Sequence, residues 1–347
     1  MIPYIFLILY LFFLRIFIFK NIVFKDYQKK RFIISAMIPI TLISGLRDRS
    51  IGADSESYYG FYKYLNVGVG RAFPDERIER GFIYLNQFLG NFTDNPYWLF
   101  FLVATFLSAS IGIFIYKNAN DPFLAVLFFL TLGLFQFSLS GMRQTIAIGF
   151  ILFAYELIKQ KKILWFLIVI LIASAFHKSV FLFLPAYFIA HRNISYKNFS
   201  VYALVFLSLF AISEFIFTQV AELFNYKYGV EETSSGFIFV FIMFIITFFS
   251  LFLKNNYLSS NKDNRMYTNI NWISFMLWAL RLVSRTTERV TFYYMPATYI
   301  LLEKMIISIK TREIRIATYI LVSILASVLF IYRISADSNL VPYRFLR

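Results

Sequence analysis

Arg143 and His177 are the residues around which a reaction could be built. A guanidinium offers a planar fork of donors that suits phosphate and stays charged when partly buried. An imidazole takes and gives a proton near neutral pH. The two lie in one stretch, Ser140 to Ser179. It opens Ser140-Gly141-Met142-Arg143-Gln144, runs apolar to Ile158 and turns through Lys159-Gln160-Lys161-Lys162. It then runs apolar to Ala175 and closes Phe176-His177-Lys178-Ser179. About 15 helical residues at ~1.5 Å each cover ~22 Å, a short span of a bilayer that local thinning accommodates. The spacing predicts a transmembrane helical hairpin. Its Lys-rich turn sits at one membrane face, and Arg143 and His177 meet at the other. The competing reading is that both residues merely end their helices at the water.

Other residues could join them. Arg47, Arg285 and Arg289 also fall at or near the ends of apolar runs, where they would ring an anion-binding cavity. Arg281, Arg285, Glu288 and Arg289 share one face if the segment is a single helix. Asp54 follows Gly52-Ala53 and opens a helical pattern, with Ser57 at N3. It is either an N-cap or an acid–base group or sugar-hydroxyl acceptor. The pairs Arg77/Glu79 and Arg80/Glu76 are read as loop ion pairs. Tyr58, Tyr59, Phe61, Tyr62 and Tyr64 either stack on sugar rings or, for most of them, anchor their loop. Glu214 is a carboxylate inside an apolar run, a costly placement that is often functional. Asp54-x-Glu56 without further ligands is weak support for a metal. With no Cys and two His, Cys-based and His-cluster metal sites, disulfides and thiolate catalysis are excluded.

These residues need a membrane scaffold. Hydrophobic residues make up 59% of the chain and charged ones 15%, which excludes an ordinary soluble domain. The sequence predicts an all-α, polytopic transmembrane bundle of one domain, 1–347. About twelve spans are expected: 1–19, 32–46, 97–116, 122–139, 142–158, 163–177, 179–190, 199–219, 237–253, 270–284, 291–308 and 316–333. The N-terminal run lacks a basic n-region and a cleavage site, so it reads as a retained span. The largest loop, 47–96, is external and carries an amphipathic segment, Arg80 to Leu89, along the interface. Loops after odd spans hold 13 Lys and 5 Arg, and the other face 3 Lys and 12 Arg. Short Lys-rich loops mark the cytoplasm, so both termini and the Arg-rich face lie outside. The tail from Asn339 to Phe345 folds back on that outer face. A net charge of +15 fits anionic partners such as phospholipid or phosphate, and does not by itself indicate nucleic acid.

Taken together, Arg47 with Gly52-x-Asp54-x-x-x-Tyr58, Met142-Arg143-Gln144-x-x-Ala147, Phe176-His177-Lys178-Ser179, Glu288-Arg289 and Pro342-Tyr343 resemble the EpsG-like family of Wzy-type O-antigen and exopolysaccharide polymerases. The motifs follow the family order over nearly the whole chain. The family usually has Asp-Thr after the glycine; here Asp54-Ser55 keeps the hydroxyl. The resemblance implies a polymerase at the outer, periplasmic face of the bacterial inner membrane. It would move a growing glycan from undecaprenyl pyrophosphate onto the sugar of another lipid-linked repeat unit, with a separate chain-length regulator as a partner. Arg143, His177 and Asp54 would be catalytic. Arg47, Tyr58, Gln144, Lys178, Arg285, Glu288, Arg289 and Tyr343 would bind substrate.

The residue types suit that chemistry. The donor carries its own leaving group, so no nucleotide or other cofactor is required, and no loop holds a phosphate-binding Gly-Lys motif. Arginines would hold the developing pyrophosphate charge, and His177, or else Asp54, would take the acceptor proton. No second close carboxylate is evident, so a single inverting displacement is expected. A flippase for the same lipid-linked sugar would share the basic cavity, but repeats and midplane charges typical of transporters are missing. An O-antigen ligase would share the Arg-and-His logic. The His-x-x-x-Asp pattern of an acyltransferase is absent, since Phe181 follows His177 and Ser195 follows His191 at that spacing.

Overall fold

The computed structural model describes residues 1–19, 24–68, 78–215, 218–219, 236–260, 264–284 and 286–346. Among them the regular elements are all helical. In chain order these are α1 (Ile2–Phe13, continued by a π-turn Leu14–Ile18), α2 (Asp26–Gly45), α3 (Ser55–Val67), α4 (Arg80–Gly90), α5 (Tyr97–Asn118) and α6 (Pro122–Thr131). Next come α7 (Leu134–Ser138), α8 (Met142–Lys159), α9 (Ile163–Ser174), a 3-10 segment (Lys178–Phe183), α10 (Pro185–Ala190) and α11 (Tyr196–Ala211). The last are α12 (Phe237–Phe252), α13 (Lys254–Ser260), α14 (Asn264–Leu280), α15 (Thr286–Thr291), α16 (Met295–Ile307) and α17 (Arg312–Ser335). The chain forms two compact units, 1–181 with 313–347, and 182–312.

In the first unit α6 is the centre: all ten of its residues are buried, against α1, α2 and α5. Asp121 starts it, its Oδ1 accepting from the N–H groups of Phe123 and Leu124, and Pro122 sits where the helix needs no N–H. The same carboxylate joins a buried network. Arg15 Nη2 lies 3.7 Å from Asp121 Oδ2, Arg15 Nε donates to the Tyr319 hydroxyl at 3.0 Å, and that hydroxyl donates to Asp121 Oδ2 at 3.1 Å. One ion pair thus ties the end of α1 to α6 and α17. Outside this centre, α2 packs on α5, α5 on α8, and α8 on α9. The amphipathic α4 buries Phe82 and Asn86 and exposes Tyr84 and Phe88.

In the second unit α14 is central, packed by α10, α12, α15 and α16. Its inward face is a polar stripe. Asn264 donates to the Tyr257 carbonyl. The Thr268 and Tyr257 hydroxyls share a hydrogen bond. Asn271 donates to Thr247 and accepts from Thr298, and Ser274 and Trp278 both reach the Met295 sulfur. Between apolar helices such bonds replace the missing hydrophobic drive, at about 0.6–2 kcal/mol each.

Among the described residues two helices, α5 and α17, are long and apolar enough to cross a membrane. Several expected spans are built differently. The run 122–139 breaks at Leu132-Gly133, where Gly133 takes φ +100°. Helix α9 stops at Ser174 rather than at residue 177. The run 179–190 is a 3-10 segment followed by a short helix that restarts at Pro185. The run 270–284 ends as a helix at Leu280. Glu214 is exposed near the end of α11.

Asp121→Ala would remove a cap worth about 1 kcal/mol and leave Arg15 buried without its carboxylate, at about 3–5 kcal/mol. The expected outcome is a strong fall in melting temperature in detergent, measured by intrinsic fluorescence. Asp121→Asn, which keeps the cap but not the charge, falls between.

Candidate active site

The α8–α9 hairpin places its two functional residues at one end. Arg143 is in the first turn of α8. His177 follows α9 in a turn closed by its own N–H to the Ala173 carbonyl at 3.1 Å. Their charges do not face each other across open space. A third residue, Glu79, stands between them. Its Oε2 accepts from Arg143 Nη1 at 2.5 Å. Its Oε1 accepts from the Lys178 main-chain N–H at 3.1 Å and lies 3.3 Å from His177 Nδ1. The Glu79 side chain is 8% exposed, while Arg143 and His177 keep 22% and 23%. The acid is enclosed and its two partners remain reachable.

Glu79 occupies the N-cap position of α4 but spends no side-chain bond on the cap. Two residues on, the Gly81 N–H donates to the Ala175 carbonyl at 2.9 Å. A Cβ on Gly81 would lie 2.6 Å from that oxygen. The glycine therefore allows the 79–81 segment to lie directly on the turn carrying His177.

Burial alone would raise the Glu79 carboxyl. The neighbouring His177 and Arg143, with the Lys178 N–H, outweigh it and hold the group at about 2, against an ordinary 4.5. The carboxylate is charged across the physiological range.

The site extends through Tyr58 and Asp54. The buried Tyr58 hydroxyl is hydrogen-bonded to Arg143; burial pushes its pKa up, and Arg143 opposes that. Asp54 acts on Tyr58 electrostatically. It stands at the N-cap position of α3 yet makes no cap hydrogen bond with its side chain. Its half-buried carboxylate is not committed to the helix. Ser55 explains the hydroxyl in Asp54-Ser55: its Oγ donates to the Leu139 carbonyl at 3.0 Å. The Ala53 N–H donates to Ser140 Oγ at 3.0 Å.

Other expected site residues are placed elsewhere. Arg47 is 2% exposed. Its three nitrogens donate to the carbonyls of Ile51, Ser44 and Leu139, and its guanidinium lies 4.7 Å over the Phe100 ring. Each of its three nitrogens is engaged by the main chain, so it supports the loop. Tyr343 donates to the Ile43 carbonyl at 2.5 Å and stacks edgewise on Tyr4 and Phe345. The tail does fold back, onto residues 46–52: the Leu346 N–H bonds to the Leu46 carbonyl and the Asp48 N–H to the Arg344 carbonyl. Gln144 is buried in α8, and the Lys178 side chain is exposed.

In the second unit, Arg281, Glu288 and Arg289 do not share one continuous helix. The chain leaves α14 after Leu280 and restarts at Thr286. Glu288 turns back to pair with Arg281 Nε at 2.6 Å, and Arg289 is exposed. Arg285 lies outside the described residues, as do Arg77 and Glu76. Glu79, read from sequence as a loop partner of Arg77, pairs with Arg143. The signal for it was local: a glutamate just before Gly81 at the start of an amphipathic helix.

The fold and this cluster define an all-helical membrane protein with a compact charged site. A sequence model described as the EpsG family matches residues 30–345. The chain belongs to the EpsG family, a family of Wzy-like polymerases of polysaccharide biosynthesis. Neither the curated proteins nor the solved structures compared with it give a match.

The folded-state carboxyl of Glu79 is more acidic than an unfolded one. Its contribution to stability is therefore full above about pH 4.5 and is lost as pH falls toward about 2. Wild type should lose melting temperature more steeply over that interval than Glu79→Gln. Parallel curves would show that the carboxylate is not held in this way.

Proposed function

We propose that the chain is a glycosyltransferase of the Wzy type. It moves a growing glycan from undecaprenyl pyrophosphate to the sugar of a second lipid-linked repeat unit, at the outer face of the inner membrane. The observation that carries this reading is one enclosed carboxylate, that of Glu79, holding a partly exposed arginine and a partly exposed histidine side by side.

The chemistry is a displacement at an anomeric carbon. The acceptor hydroxyl oxygen forms the new bond to C1, and the bond from C1 to the pyrophosphate oxygen breaks. The hydroxyl proton goes to His177, and the electron pair of the broken bond leaves on undecaprenyl pyrophosphate. Arg143 is fixed by Glu79 and Tyr58 before the reaction, so its charge needs little reorganisation to meet the leaving group. The exposed Lys178 adds a second cation. Asp54 is the alternative base, as its carboxylate is not spent on capping. Glu79 is engaged by Arg143 and the Lys178 N–H, which disfavours it as a nucleophile and favours direct displacement with inversion.

The test is polymerisation by purified protein from synthetic undecaprenyl-pyrophosphate repeat units, with EDTA and without nucleotide, resolved on a gel. Wild type should give a ladder. His177→Ala should lower its rate by about 10²–10⁴ and Arg143→Ala by about 10²–10³. A ladder kept by His177→Ala but lost by Asp54→Asn would move the base to Asp54. Absence of a ladder, with labelled lipid moved across liposomes by the same protein, would replace the polymerase by a flippase.

A further inference from the structure

Neutral imidazole carries one proton, on either ring nitrogen, and a carboxylate beside one of them decides which. At His177 the choice is set by Glu79. Oε1 is 3.3 Å from Nδ1 and is itself pinned by the Lys178 N–H at 3.1 Å. Arg143 holds Oε2, so the carboxylate cannot rotate away. The Gly81–Ala175 main-chain bond fixes the backbone on both sides. A proton on Nδ1 faces an anion and is favoured. A lone pair on Nδ1 would face the same anion and be disfavoured. Nδ1 is buried and meets no hydrogen-bond partner at strict geometry among the described residues; the Glu79 carboxylate at 3.3 Å is the charged group beside it.

We propose that Glu79 is a positioning residue. It holds His177 as the Nδ1–H tautomer, leaving the Nε2 lone pair to receive a proton, and it stabilises the imidazolium that forms. Identifying the incoming proton as that of an acceptor sugar rests on the polymerase reading; the tautomer does not. Glu79 also locks Arg143 to the same carboxylate, so the proton-accepting and charge-holding residues share one support. A carboxylate that merely clamped the 175–178 turn would bond the Lys178 N–H equally well as an amide, and would have no effect on the ring proton.

The chain has two histidines, which makes the proton directly readable. Protein labelled with ¹⁵N-histidine and carrying His191→Gln, a position in the other compact unit, leaves one imidazole. Its two ring nitrogens are read by NMR in nanodiscs without substrate, at alkaline pH. Wild type should show a pyrrole-type Nδ1 and a pyridine-type Nε2. In Glu79→Gln the ratio of Nδ1–H to Nε2–H should fall about tenfold, the difference between a charge-assisted and a neutral hydrogen bond. An Nε2–H tautomer in the wild type, or an unchanged ratio in Glu79→Gln, overturns the proposal. If Glu79→Gln does not fold, the wild-type spectrum decides alone. In the polymerisation assay Glu79→Gln should lower kcat with KM little changed. The Nδ1–H tautomer without any polymer from wild type would sink the polymerase reading and leave this one standing. Polymer made by a wild type in the Nε2–H form would do the reverse.

Discussion

The buried guanidinium of Arg47 is the constraint on which the rest of the site is built. A charge taken from water costs several kcal/mol unless its donors are met, and here they are met by carbonyls rather than by an acid. Burial lowers its pKa to about 10, so it stays charged. Meeting its donors fixes three carbonyls in place: Ser44 at the end of α2, Ile51 in the loop and Leu139 before α8. Leu139 also accepts from Ser55. Gly52, with φ +96°, lies so close to that carbonyl that any Cβ would overlap it. The loop 47–55 is thus seated on the turn from which α8 starts, and Asp54 and Arg143 acquire their relation from that seat. The same logic brings in the C-terminal tail, whose main chain pairs with residues 46–52.

Much of this arrangement was legible in the residues. The apolar runs on either side of Lys159–Lys162 have nearly equal length, so Arg143 and His177 had to come to the same end. Helix α8 begins at Met142, as the pattern predicts. Glu79 left only a local signal, and its place in the site was not legible. Its partners lie 64 and 99 residues away in the chain, and its neighbour Arg77 offered a nearer pairing. Local charge complementarity is a weak guide where a loop must satisfy a buried end of a distant hairpin.

Arg47 misled for a related reason. An arginine at the end of an apolar run looks the same in sequence whether its fork faces an anion or its own backbone. Only the three-dimensional course of the loop and tail distinguishes the two. The spacing of Arg281, Arg285, Glu288 and Arg289 suggested a single charged helical face, but the helix ends at Leu280, and Glu288 closes back on Arg281. Asp54 showed the converse. Its position fits an N-cap, yet the side chain does not cap.

Helix α9 carries a consequence for the lipid around it. Its 12 residues rise about 18 Å, against roughly 30 Å of hydrocarbon, and Leu164, Trp165, Leu167, Ile168, Leu171 and Ile172 are exposed along it. Lipid beside such a short greasy rod must compress or tilt its tails. If α9 crosses the bilayer, the head-group layer would be drawn inward next to the turn that holds His177. Beside a span this short, a lipid head group would come level with the enclosed carboxylate and its two partners without being lifted out of its own leaflet.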